Sequence, residues 1–457
     1  MRDMLQNRQA PDAFGSIAKE AIYYGADSAF APQYKRFARN RYRDDFAWLL
    51  ANRGLSIRPM IEIASYIVHC VNQQLTALFH QYSDGPDGPA SQYISGALLV
   101  AKHALIKQFG EKGESFLDLF SIPITHSNTS FITPFVYNEV NSKPLLDLGQ
   151  HVYVSSQYRL FESIYESPYY WMLADPHYRD IASANRGRFL EQEIARMMRS
   201  VFGRDHVFTN VVIKTRKHQI AAEADVLVAY GEFLLVVQAK SKRLTLAAKA
   251  GDLSKINDDF QAAIQSAYDQ AIKFIDLALT GAECEIGPSS RRVFKSLVRA
   301  FPIVVLSDHF PSLTFLTNKL VKEDRERSPV VIDLFFLNIL LEILNNPVDA
   351  LYYLQQRARF FSKLLTDSEY NLLGFHVKQK LYVNDEWQMM LIDRDFAQDI
   401  DSYFTAKETG QDPPIEFVAM EDRMDIPAAT ALISALKSGP PEVAGAAIDL
   451  GFLRGCA

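Results

Sequence analysis

The sequence predicts a mixed α/β fold, on three observations. A helix-spaced apolar stripe runs through residues 187–202. Three β-like runs follow it in close succession. A long helical segment at about 255–280 then leads into two further apolar runs of strand length. In the first helix, GRFLEQEIARMMRSVF, the stripe is Leu190, Ile194, Met197, Met198 and Val201, and Gly203 supplies a stop. The strand candidates are HVFTNVVIKT, AEADVLVAY and EFLLVVQAK, then PIVVLS and PVVID.

The flanks read differently. Residues 16–80 carry helical spacing in pieces such as SIAKEAIYYG and IEIASYIVHCVNQQLTALFHQ. SDGPDGPAS at 83–91 reads as a loop. ITPFVY, KPLLDL and HVYVSS, between about 121 and 155, read as β or loop. After about 334 the chain is mainly helical, broken at Pro347, with ALYYLQQRARFFSKLL strongly amphipathic. The expected division is a mainly helical region with some β over 1–155, an α/β domain over 156–345, and a mainly helical region over 346–457.

With 48% hydrophobic residues there is material for packed cores. The 48 basic and 54 acidic side chains give a net charge of −6, which leaves room for a local basic patch. Cys70, Cys284 and Cys456 are too few and too scattered for a disulfide framework or a zinc site, which fits a reducing compartment. The apolar run VVIDLFFLNILLEIL is broken by Asp333, Asn338 and Glu342, short of the roughly 20 residues that cross a bilayer. A soluble cytoplasmic protein, with no membrane partner, is the expectation. Phosphate-binding glycine loops, H-E-x-x-H and G-x-S-x-G are all missing from the sequence, so a motor would have to be a separate partner protein.

The second and third strands carry the chemistry. If Tyr230-Gly231 is the hairpin turn, Asp225 stands opposite Val236. Alternation then puts Glu223 and Asp225 on one face with Val236, Gln238 and Lys240, and leaves Val226, Val228, Leu235 and Val237 for a core. Two carboxylates, an amide and an ammonium on one face suit phosphodiester hydrolysis. Hard Mg²⁺ wants a few carboxylate or carbonyl oxygens, and a lysine can orient water and offset developing charge.

An acidic helix, then D…Q-x-K on adjacent strands, resembles the PD-(D/E)xK nuclease superfamily, and VQAKS resembles its Mrr-type endonucleases. The run from Gly251 to Ala278 resembles the helix that follows that motif. The resemblance covers about 95 residues, from Gly187 to about 280. It implies a restriction endonuclease-like mixed sheet flanked by helices, and a Mg²⁺-dependent endonuclease with Mn²⁺ as a substitute. Glu191, Asp225, Gln238 and Lys240 would be catalytic; Asp225, Gln238, Glu191 and Glu223 would hold metal. Glu191 matches the family's helical acid because Ile194 and Ala195 follow it; Glu193 is the runner-up. Gln238 departs from the commoner carboxylate and removes a negative charge, which Glu223 could restore. DNA is the expected substrate, with RNA left open, and two-strand cleavage suggests a homodimer. The alternative is an inactive nuclease fold that binds nucleic acid or a partner.

The surroundings are basic. Between Val211 and Ile256 stand Lys214, Arg216, Lys217, Lys240, Lys242, Arg243, Lys249 and Lys255 against Glu223, Asp225, Glu232 and Asp252. Lys214, Arg216, Lys217, Lys242 and Arg243 are therefore candidates for nucleic-acid contact, and a solvated loop is the plainer reading of KTRKHQ. A second basic stretch, YKRFARNRYR from Tyr34, reads either as a stacking surface or as a helix with an aromatic packing face.

Overall fold

The computed structural model describes residues 29–83, 91–126, 128–129, 131–132, 137–241, 245, 253–287, 290–294, 297–308, 313–322, 324, 327–366, 368–379, 389–412 and 427–452. The protein is mixed α/β, and the chain forms two compact units that divide between Phe189 and Leu190. That division differs from the sequence-based breaks near 155 and 345.

In the unit Ala29–Phe189, the basic stretch from Tyr34 forms the helix α1 (Ala31–Arg41), with Tyr34, Phe37 and Ala38 buried. Arg41 is buried too, its guanidinium 4.4 Å from the Tyr165 ring centroid. The aromatic side chains there pack a core, as the second of the two readings had it. α2 (Ile57–Ser83) and α3 (Gln157–Leu173) complete the main helical framework. A small sheet in the order β1-β4-β3-β2 joins Leu99–Ala101 (β1), Ser121–Pro123 (β2), Leu145–Asp147 (β3) and His151–Val154 (β4). Of the β-like runs, KPLLDL and HVYVSS supply β3 and β4, while 133–136 of ITPFVY lie outside the described residues.

The unit from Leu190 onward is built on seven strands. These are Val207–Lys214 (β5), Ile220–Tyr230 (β6), Phe233–Lys240 (β7), Cys284–Ile286 (β8), Ser290–Arg292 (β9), Arg299–Leu306 (β10) and Val330–Asp333 (β11). Their order is β11-β10-β7-β6-β5-β8-β9. β7, β10 and β11 run parallel, and β7-β6-β5-β8-β9 alternate in direction. The helix read over 187–202 is the C-terminal part of α4 (Arg179–Phe202), and its stripe is buried. The segment at 255–280 is α5 (Leu253–Phe260), one π turn at Gln261–Gln265, and α6 (Ser266–Leu279). α6 lays Ala271, Phe274, Ile275 and Ala278 against Leu227, Leu234 and Val236, so it covers one face of the sheet centre.

Two local features follow from single residues. The apolar run from Val330 divides at Asp333, whose carboxylate accepts the Phe336 N–H at 2.8 Å. That bond caps α7 (Leu334–Ile343), so the run becomes a strand and a helix. At the β6–β7 turn, Gly231 has φ +57, and the Pro441 carbonyl oxygen sits 2.1 Å from where a Cβ would stand. Only glycine fits both demands.

Candidate active site

The site lies where β6 and β7 part. The pairs run from Tyr230↔Phe233 to Val226↔Val237. The turn is therefore Gly231-Glu232, one residue later than the sequence suggests, and the register moves by two residues. An even shift keeps each side chain on its face. Continued by one pair, it sets Asp225 directly opposite Gln238 instead of Val236, where cross-strand Cβ atoms stand about 5 Å apart.

Beyond Val226 the two backbones separate, and side chains take over from the ladder. The Asp225 Oδ2 accepts the Ala239 N–H at 2.7 Å. The Gln238 Nε2 donates to the Glu223 carbonyl at 2.6 Å. The second bond also fixes the amide's orientation. A carbonyl only accepts, so the NH₂ must face Glu223 and the Gln238 Oε1 must point away from it. Gln238 is 2% exposed, which makes that orientation rigid.

Lys240 donates its Nζ to the Gln270 Oε1 of α6 at 3.0 Å. Its charge also acts on Asp225. Burial pushes the Asp225 carboxyl above its ordinary value; the Ala239 N–H and the Lys240 ammonium pull it back, and the Glu223 charge adds to the rise. Asp225, Gln238, Lys240 and Glu223 are thus gathered at one fork. Glu223 is exposed, and its side chain makes no hydrogen bond or ion pair among the described residues. The strict alternation used to place it does not run through Asp225. Ala222 and Ala224 join the same apolar cluster as Leu227, and opposite Asp225 the residue Asn210 has φ +51. β6 and its partner turn at that level, which puts Glu223 at the rim.

The helical acids are not joined to this group. No hydrogen bond links Glu191 to Asp225, Gln238 or Lys240, and its charge is absent from those acting on Asp225. Glu191 is half-buried and has interactions of its own. Glu193 is buried and accepts Arg196 Nε and Nη2 at 2.9 and 2.8 Å. Among the described residues no three His, Cys, Asp or Glu side chains stand close enough together to hold a metal ion.

A Mg²⁺ ion does not require three such groups. It binds through one or two carboxylates and keeps several waters. The Gln238 Oε1, the Asp225 Oδ1 and the exposed Glu223 carboxylate are oxygen donors of that kind. Were an ion bound at the fork, Asp225 and Gln238 would be the residues to hold it, with Glu223 at the rim.

Of the basic candidates, Lys214 is paired with Glu285, which also holds Arg291 at 3.2 Å. Arg216 and Lys217 are exposed in the β5–β6 turn. Lys242 and Arg243 lie outside the described residues. Sequence reasoning missed Gln270, an exposed residue on a helix 30 positions from Lys240. Nothing in its spacing marks it, because only the packing of α6 on the sheet brings it to the lysine.

Comparison with family models, curated proteins and solved structures returns no match. No helix among the described residues is long and apolar enough to cross a membrane.

Proposed function

We propose that the fork between β6 and β7 is the active site of a Mg²⁺-dependent nuclease of the PD-(D/E)xK type, acting on DNA as an endonuclease. The observation that carries the reading is the meeting of Asp225, Gln238 and Lys240 where the ladder between β6 and β7 ends. A bound ion would supply Lewis acidity and a more acidic water. Asp225 and the Gln238 amide oxygen would hold it, and Mn²⁺ would serve in its place. Lys240, steadied by Gln270, would bind the scissile phosphate's oxygens and offset the charge that grows on them. A restriction or defence role rests on family likeness alone.

A second reading has a specific observation in its favour. Asp225 and Gln238 both bridge the parted strands, and a purely structural fork would use them in the same way. The protein would then be a nuclease-fold scaffold that binds nucleic acid or a partner without cutting.

Incubation of the purified chain with plasmid, linear duplex, single-stranded DNA and RNA, with and without Mg²⁺ or Mn²⁺, separates the two. Metal-dependent cleavage that disappears on chelation and in both Asp225→Asn and Lys240→Ala is the expected result. Binding without cleavage under every condition would favour the scaffold.

A further inference from the structure

β6 does not end where it leaves β7. Residues Ile220–Ala224 continue in partnership with β5 alone on that side, about 17 Å of strand at 3.4 Å per residue. β8 supports the base of this ribbon along Val211–Ile213. The ladder with β8 ends at Ile213; Glu285 of β8 still holds Lys214, and the turn from Thr215 to Ile220 carries the ribbon on past the last β8 pair.

That turn is a built structure. The His218 N–H donates to the Thr215 carbonyl at 2.9 Å, and the Thr215 N–H to the Gln219 carbonyl at 2.8 Å. The Thr215 Oγ1 accepts the Gln219 N–H at 3.3 Å. His218 takes φ +58, so a tight turn followed by a left-handed residue closes the hairpin. Arg216 and Lys217 are the two central turn residues and project from its end. Both are exposed, and neither has an ion pair among the described residues. Lys214 contrasts with them, because Glu285 neutralises it. Beside them Ile220 is 60% exposed.

We propose that the tip Lys214–Ile220 is the element that grips duplex DNA, entering the major groove with Arg216 and Lys217 on phosphates and Ile220 toward the base edges. Two strands about 4.8 Å apart, with their side chains, fit a B-form major groove about 12 Å wide. The narrow, deep major groove of A-form RNA excludes them. The two cations have no acidic partner among the described residues, and phosphates would supply one. The tip lies past the Asp225 end of β6, so a duplex held there runs beside the fork. The proposal rests on the nuclease reading for its substrate but not for its test.

The test is binding in EDTA, where no metal-dependent cleavage intervenes. Fluorescence anisotropy would compare a labelled DNA duplex, its single strand and an RNA duplex across a salt series. The DNA duplex should bind best. Arg216→Ala with Lys217→Ala should weaken it at least tenfold and flatten the log–log salt slope by about 1.8, since each neutralised phosphate contributes roughly 0.9. Lys214→Ala should change little, because Glu285 already neutralises that lysine. Both tip residues are exposed and have no ion pair among the described residues, so the double variant should keep its melting temperature. Equal affinity and slope in wild type and double variant would overturn the proposal, as would wild type that binds no duplex, or tip-dependent binding strongest on RNA or single strands. Tip-dependent duplex binding without cleavage in Mg²⁺ would instead sink the nuclease reading and leave the tip's role standing.

Discussion

At the scale of single residues, Gln238 is the position where the fold gives a physical reason for an amide in place of a carboxylate. Its amide donates to the Glu223 carbonyl, which an ionised glutamate could not do. Gln238→Glu would restore the commoner carboxylate and set it against that carbonyl. It should lower stability by about 1–3 kcal/mol, the usual consequence of an unsatisfied buried group. Chemical denaturation in EDTA checks this, and an unchanged midpoint would remove the explanation. Asp225 gives a prediction of the opposite sign. Its carboxyl lies above the ordinary 3.8, mainly through burial. Stability from the protonated form is complete below 3.8 and is lost as pH rises through the raised value. Asn keeps an oxygen for the Ala239 N–H and carries no charge. Asp225→Asn should therefore match the wild type in acid and melt at an equal or higher temperature near neutral pH. Mg²⁺ should raise the melting temperature of the wild type and not of the variant. A variant that is less stable at every pH would mean the carboxylate is a structural brace.

At the scale of elements, strongly patterned segments were legible and short ones were not. The stripe of α4, the runs of β5, β6 and β7 and the apolar β10 and β11 carry their own periodicity. β8 and β9 are three residues each, CEI and SRR; β8 forms on the edge that β5 offers, and β9 on the edge of β8. The turn at Gly231-Glu232 escaped because Tyr230-Gly231 and Gly231-Glu232 both offer a glycine to a two-residue turn, and the flanking apolar runs do not choose between them. The parity argument survived that error because the shift was even, and it held for Asp225, Gln238 and Lys240. It did not hold at Glu223, where the fork and Asn210 interrupt the alternation. Glu191 was read from helix spacing alone, which says nothing about distance to a strand. Beyond the site, α8 (Pro347–Arg359) is tied to α9 (Glu369–Gln379) by a buried ion pair. The Arg357 Nε donates to both Glu369 oxygens at 3.0 Å, and its Nη1 to the Pro329 carbonyl at 2.7 Å. Glu369→Ala would strand the guanidinium in the core, and a loss of about 3–5 kcal/mol is expected in urea unfolding. A loss under 1 kcal/mol would show that water reaches Arg357.

At the scale of the whole molecule, the candidate site sits in the unit from Leu190 onward, and the sheet there explains its placement. Parallel β7 and antiparallel β6 share a ladder only as far as Val226 and Val237, and the opening beyond is where polar side chains can face a ligand. The α/β class was legible from the succession of patterns. The division at 189/190 was not, because α4 carries one unbroken helical pattern across it. The central claim is that the fork holds a divalent ion. Anomalous diffraction from crystals soaked in Mn²⁺ tests it most directly. The expected result is a peak within about 2.0–2.4 Å of an Asp225 carboxylate oxygen and the Gln238 Oε1, and no peak there in Asp225→Asn. A fork without a peak at saturating Mn²⁺, or a peak held by other residues while the fork's hydrogen bonds stay intact, would contradict it.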